Sequence, residues 1–194
     1  LANGVPAQKV SLCRQGVELR DNDRLVPRAT NSDAREVGGR QGLRLCFLGR
    51  VDPTKGGDVL IRALGLLPGL PLELDIYGVA QPSSYKDCAW TWRQLARGDG
   101  RIRFMEPVGR DELLATIGKY DLLLVPSQLL ETGPLVVLEA FAAGTPVIGS
   151  RLGGIAELID HGVNGLLVEA SDPRVWSAAI RYLATDDAAL KKMR

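Results

Sequence analysis

Arg50, Lys55, Glu131 and Glu139 fall in two short stretches whose company suggests chemistry. In FLGRVDPTKGG, Phe47 to Gly57, Arg50 and Lys55 occupy a turn that follows an apolar run and leads through Gly56-Gly57 into a helical pattern. In ETGPLVVLE, Glu131 to Glu139, a carboxylate stands at each end of what reads as the apolar opening of a buried helix. A guanidinium offers a planar fork of donors and an ammonium a compact mobile charge, so the first stretch suits a phosphate or pyrophosphate. Two solvated loop cations are the plainer explanation; a place at the carboxyl end of a strand favours the anion site. Neither the G-x-G-x-x-G nor the G-x-x-x-x-G-K-[ST] pattern is present at this turn, which removes both familiar nucleotide motifs.

In the second stretch, Pro134 suits the first helical position, where its missing N–H is not needed, and Gly133 can serve as the cap. The free N–H groups of that first turn, at the positive end of the helix dipole, form a second feature favourable to an anion. With about 1.5 Å of rise per residue, Glu131 and Glu139 are expected on the order of 10 Å apart along one segment. A glycosidase pair flanks one bond from opposite sides at roughly 5 to 9.5 Å. Two carboxylates displaced along one axis fit that poorly. They fit the two ends of a long ligand with a negative middle, and a nucleotide sugar has that shape: sugar hydroxyls, a pyrophosphate, then a ribose diol. Glu131 could equally be a solvated loop residue. Glu139 is harder to dismiss, because VVLEAFAAG surrounds it with apolar neighbours and a buried unpartnered carboxylate is costly.

These stretches must be positioned by regular elements. From Leu43 onward, apolar runs of strand length alternate with helical spacing. Strands are expected at 43–49, 72–78, 101–108, 121–127, 145–150 and 165–170. Helices are expected around 57–67, 84–97, 111–119, 134–143, 153–159 and 172–185. Near-continuous apolar strands such as LLLV imply burial on both faces, and strict βα alternation implies right-handed crossovers in a parallel sheet. The fold class is therefore α/β, a doubly wound, Rossmann-like parallel six-stranded sheet. Residues 1–42 contain a strand-like KVSLC and then a stretch dense in Arg, Asp, Asn and Gly, with too few apolar residues for a core.

Composition limits the rest. In 194 residues, 45% are hydrophobic and 24% charged, and the net charge of +1 gives no global attraction for nucleic acid or anionic lipid. Any anion site must be local. Three cysteines, Cys13, Cys46 and Cys88, are widely spaced and suggest neither a disulfide framework nor a zinc site. No apolar run approaches the roughly 20 residues that span a bilayer, and no basic-then-apolar leader is present, so a cytoplasmic location is expected. The chain opens at Leu1 rather than Met and stops at Lys191-Lys192-Met193-Arg194 in a helical pattern, and it is read as part of something larger.

LGRVDPTKGGDVLIRAL followed by ETGPLVVLEAFAAGTPVIGSRLGGIAELIDHGVNGLLV resembles the C-terminal, donor-binding half of the retaining GT-B glycosyltransferases of the large group-1 family. The resemblance runs from about Leu43 to Ala184, with the Arg/Lys turn, the E-x7-E pair, the A-x-G-T-P-V-I strand entry and the N-G-L-L-V strand in the family's order. NGVPAQKV resembles the segment leading out of that family's N-terminal domain. The resemblance implies that 1–42 is linker and remnant of the inter-domain segment, and that 43–194 is the nucleotide-sugar-binding domain. It implies that Arg50 and Lys55 grip the donor pyrophosphate and stabilise the leaving nucleoside diphosphate without a metal. Glu131 would then meet the hydroxyls of the transferred sugar and Glu139 the ribose. The amides of Gly133, Leu135 and Val136 would face the phosphates, and Phe104 and Met105 mark where backbone meets the base. The donor is a nucleoside-diphosphate sugar acting as substrate, no cofactor is implied, and an acceptor domain is missing. Two departures stand out. Many relatives carry Phe-Gly where this chain has Gly133-Pro134, and a Gly-rich turn where it has Val79-Ala80-Gln81-Pro82 after DIYG.

Other residues take plainer roles. His161, the only histidine, reads as a turn residue. Trp90 and Trp92 stand two apart in a helix and cannot share a face, so one packs and the other is free for a partner domain. Gly153-Gly154 reads as a tight turn near the donor, and Asp111-Glu112 as cap and first-turn charge. Two further functions stay open beside the transferase: a noncatalytic nucleotide-binding or scaffolding module of the same fold, and, more distantly, a glycoside hydrolase.

Overall fold

The computed structural model describes residues 15–17, 36–37, 40–79 and 86–194. KVSLC and most of the segment before Leu43 lie outside these residues, as do Ala80, Gln81 and Pro82 of the turn after Gly78. Two short strands, β1 (Glu36–Val37) and β2 (Arg40–Gln41), pair antiparallel. The main sheet holds β3 (Leu43–Arg50), β4 (Leu72–Val79), β5 (Ile102–Met105), β6 (Leu122–Val125), β7 (Val147–Ser150) and β8 (Gly165–Val168). All its pairings are parallel, in the order β5-β4-β3-β6-β7-β8. Counted within the sheet this is the 3-2-1-4-5-6 order of doubly wound domains. The strands are as the apolar runs predict, but shorter where the sequence turns polar. The expected strand 101–108 ends at Met105, because Glu106 and Pro107 break the apolar run and a proline cannot extend the ladder.

The helices are α1 (Gly57–Gly65), α2 (Lys86–Leu95), α3 (Leu113–Ile117), α4 (Leu135–Ala142), α5 (Gly153–Leu158), α6 (Pro173–Thr185) and α7 (Asp187–Lys192). Alternate strand residues enter two separate cores. Leu45, Phe47, Leu74, Ile76, Leu122, Leu124 and Ile148 join Val59, Leu60, Trp92, Trp176 and Ile180 from α1, α2 and α6 on one face. Cys46, Leu123, Val125, Val147 and Leu167 join Ile117, Val137, Ala140 and Ile155 from α3, α4 and α5 on the other. This period-2 division between two apolar layers is why the strands show no polar alternation.

Two helix starts differ from expectation. Pro134 is not the first helical residue. Its ψ of 100° is extended, which makes it the N-cap and Leu135 the first residue of α4, so Gly133 is one step too early to cap it. The expected helix 111–119 is a 3₁₀ turn over Arg110–Glu112 followed by the short α3, with Gly109 rather than Asp111 at the cap position.

A buried polar group braces the β4 side of the sheet. Asp75, only 3% exposed, accepts from Arg103 Nε at 2.7 Å and Nη2 at 3.0 Å, and from the Tyr120 hydroxyl at 2.6 Å. Tyr120 also hydrogen-bonds the Tyr77 hydroxyl at 2.7 Å. The network ties β4, β5 and the entry to β6 together, and each carboxylate oxygen of Asp75 has a partner, as burial requires.

Candidate functional site

In this topology the chain leaves β3 toward one edge of the sheet and returns to β6 on the other side of β3, which makes β3 and β6 the switch point. Their carboxyl-end turns are neighbours and are stitched together. The Gln128 N–H donates to Thr54 O at 2.7 Å, and Ser127 Oγ lies 3.4 Å from the same oxygen. Gln128 Nε2 donates to Pro126 O at 2.6 Å and to Ala170 O at 2.9 Å, tying in the exit of β8.

The β3 turn has its own scaffold. Asp52, buried at 3% exposure, caps a 3₁₀ turn of Pro53, Thr54 and Lys55 by accepting from the Thr54 N–H at 2.7 Å. Asp-Pro is a strong start signal, since the carboxylate meets a free donor and proline lacks the one it would leave unmet. Asp52 Oδ2 also lies 3.3 Å from Nη2 of Arg50. Gly56 closes the turn at φ +68°, and a Cβ there would stand 2.1 Å from Pro126 O, so glycine is required twice, for conformation and for space.

The outcome is a junction between the two stretches that drew attention in the sequence. Lys55 Nζ, at the end of the capped turn, hydrogen-bonds and ion-pairs with Glu131 Oε1. Ser127 Oγ, on a residue 2% exposed, donates to the same oxygen at 2.7 Å. Burial alone would raise the Glu131 carboxyl; the bonds from Lys55 and Ser127, with the charges of Lys55 and Arg50, outweigh it and hold the group below its ordinary value. Arg50 and Lys55 therefore stand at the same rim as Glu131. The Glu131 backbone is pinned as well: its carbonyl accepts from the Gly154 N–H at 2.6 Å. A Cβ on Gly153, whose φ is +46°, would lie 2.7 Å from that carbonyl oxygen, and one on Gly154 would lie 2.9 Å from it.

Gly133, Leu135 and Val136 follow Glu131 into α4. Among the described residues their N–H groups donate to no partner, Pro134 offers no side-chain cap, and the first-turn donor satisfied is Val137, to Pro134 O at 3.0 Å. A helix start without a side-chain cap leaves N–H donors that need a partner from outside the helix. Gln15, far earlier in the chain, also reaches this point: a Cβ on Gly133 would stand 2.2 Å from its Oε1.

Glu139 is half-buried in α4 and has a different environment. Burial pushes its carboxyl up, against the opposing charge of Arg110 from the turn after β5. A raised folded-state value means that Glu139 favours folding below the ordinary carboxylate range and loses that contribution as pH rises through its folded value. Glu139→Gln is therefore expected to raise the melting temperature of the free domain at pH 7 and to change it little at pH 4. Thermal unfolding at the two pH values checks this.

Phe104 and Met105 lie on β5, the outer strand two places from β3. Phe104 packs against the core with the Arg93 guanidinium 4.5 Å above its ring, while Met105 is exposed at the strand end. His161 is a structural residue: its Nδ1 accepts from the Leu167 N–H at 2.9 Å. Trp92 packs and Trp90 is exposed. Sequence reasoning missed Asp52, Thr54 and Ser127. The Asp-Pro-Thr start signal was available for the first two; Ser127 reads only as the last residue of a strand. Among the described residues no three His, Cys, Asp or Glu side chains gather as a metal-binding group, and no helix is long and apolar enough to cross a membrane.

The sequence matches the family of glycosyl transferases group 1 over residues 33–194. The chain belongs to that family. It is 38% identical over 168 residues to the D-inositol 3-phosphate glycosyltransferase of Corynebacterium glutamicum, covering 82% of this chain and 40% of the relative. Among solved structures it resembles the Anabaena HepE protein in complex with UDP and glucose, with a TM-score of 0.84 and 22% identity, over 99% of this chain and 52% of that one. It also resembles the sucrose-phosphate synthase of Thermosynechococcus elongatus, with a TM-score of 0.70 and 27% identity, over 78% of this chain and 38% of that one. The fold is thus that of the C-terminal half of GT-B glycosyltransferases. This group 1 chain spans well under half the length of the curated relatives it matches.

Proposed function

We propose that this chain is the donor-binding domain of a retaining glycosyltransferase that moves a sugar from a nucleoside-diphosphate sugar to an acceptor held by a further, N-terminal domain. The junction of Lys55, Glu131 and Ser127 at the switch point carries this reading, since it sets a cation and a carboxylate side by side where a ligand of such a sheet lies. The diphosphate takes the Lys55 ammonium, the Arg50 guanidinium and the amides of Gly133, Leu135 and Val136. Those groups also stabilise the negative charge that develops on the leaving nucleoside diphosphate, so the reaction needs no metal ion and no cofactor. Glu131 accepts hydrogen bonds from the sugar, Glu139 from the ribose, and the backbone around Phe104 and Met105 meets the base. The protein works in the cytoplasm. The 194-residue chain binds donor but transfers little or nothing by itself.

Calorimetric titration of the chain with UDP, GDP and ADP and with their glucose and mannose derivatives tests the reading. Binding that depends on both base and sugar is the expected result. No binding to any of them would favour a noncatalytic module, and turnover by the isolated chain at the rate of a whole enzyme would overturn the assignment of a missing acceptor domain.

A further inference from the structure

Lys55 and Glu131 are each assigned, in the reading above, to a different part of the donor, yet in the free domain they are bonded to one another. Both side chains are about four-fifths removed from solvent. The pair is held from both sides. Asp52 and Gly56 fix the turn that carries Lys55, while Ser127 Oγ and the Gly154 N–H fix the side chain and backbone of Glu131. Ser127 and Lys55 converge on the same oxygen, Oε1, and among the described residues Oε2 accepts from neither.

From this geometry we propose that the Lys55–Glu131 pair is a built-in competitor of the nucleoside diphosphate, a latch that the whole donor opens and the spent product cannot hold open. The inference rests on the donor-site reading. An incoming diphosphate must take the Lys55 ammonium away from Glu131. When the ligand carries its sugar, the hydroxyls hydrogen-bond the released carboxylate, which keeps Ser127 as its second partner, and the exchange leaves no half-buried charge unmet. When the sugar has departed, Glu131 has lost that partner and returns to Lys55, loosening the diphosphate. The site thereby prefers donor over product, and release of product is assisted by the residue that held the sugar.

The arithmetic of a closed latch sets the size of the effect. Apparent affinity falls by the fraction of molecules whose site is open, so a latch closed about nine-tenths of the time weakens the nucleoside diphosphate about tenfold. Glu131→Gln removes the competing charge while keeping the shape. It is expected to bind the diphosphate whose base the wild-type domain selects, among UDP, GDP and ADP, about tenfold more tightly than wild type, and to lose the preference for the sugar-bearing form. Glu131→Ala, checked for folding by circular dichroism, should tighten the diphosphate likewise.

Loss of a nearby negative charge could tighten an anion without any latch, and a double-mutant cycle with Lys55→Met separates the two. In the Lys55→Met background the same Glu131→Gln change should gain less than about threefold, or nothing detectable, by NMR titration. An equal gain in both backgrounds would overturn the latch in favour of simple repulsion, and so would an unchanged or weaker affinity of Glu131→Gln for the diphosphate. Either result leaves the donor-site reading standing, whereas wild-type domain that binds none of the diphosphates or their sugars would overturn both.

Discussion

Lys55→Met is expected to weaken binding of a nucleoside-diphosphate sugar at least about thirtyfold, the largest effect of any single change at the site. A buried, hydrogen-bonded charge that loses its partner costs about 2–5 kcal/mol, and each 1.4 kcal/mol is a factor of ten. Lys55 qualifies, with its side chain 23% exposed and its backbone set by the Asp52-capped turn. Arg50 makes the contrast. Its side chain is 50% exposed, so solvent screens it, and Arg50→Ala should cost about two- to fivefold. Lys55→Arg should not restore affinity, because a planar fork cannot occupy the place of a point charge against Ser127 and Glu131. Calorimetry on the three variants, each verified as folded by its melting curve, gives the order; Arg50 exceeding Lys55 in effect would mean that the phosphates lie outward of the junction.

Why the two stretches could be picked out of the sequence, and the junction could not, has a physical reason. Strand positions and the doubly wound class follow from βα alternation and near-continuous apolar runs, and the observed strand order places the exits of the first and fourth strands of the main sheet side by side. Residue types at those exits, Arg50, Lys55 and Glu131, are then legible as chemistry. The sequence does not state which partner each takes, because Lys55 and Glu131 are 76 positions apart and their meeting depends on loop conformations a few residues long. Ser127 is hidden for the same reason: a serine ending a strand says nothing until the facing turn supplies Thr54 O and the loop returns Glu131 to it. The proline misplaced by one residue at α4 teaches a related lesson. Pro134 is tolerated at either position, and what decides is its ψ, which the sequence does not state; the backbone just before it, Glu131–Gly133, lies close against Gly153-Gly154. The role of Gly154 as donor to the Glu131 carbonyl is likewise tertiary and leaves no local mark beyond the doubled glycine.

The two tryptophans of α2 offer a second large effect and an internal control. Trp92→Ala is expected to destabilise the domain by about 3–5 kcal/mol, the range for removing a fully buried aromatic side chain, while Trp90→Ala should stay within about 0.5 kcal/mol of wild type. Trp92 is 1% exposed and Trp90 64%, although they are two residues apart on one helix. Trp92 meets Phe47 edge to face at a centroid distance of 5.6 Å, and its ring edge fills the space beside Gly57, where a Cβ would come within 2.4 Å. Gly57 opens α1 immediately after the turn that carries Lys55. A cavity at Trp92 therefore removes the surface against which Gly57, the start of the helix that follows the turn, is packed, and Trp92→Ala should also lower affinity for the donor at temperatures well below its melting point. Urea unfolding reads the first effect and calorimetry on the folded fraction reads the second. If stability falls as expected while affinity is untouched, then the Asp52 cap and the Gln128–Thr54 bond suffice to hold Lys55, and the apolar packing behind the turn serves the core alone.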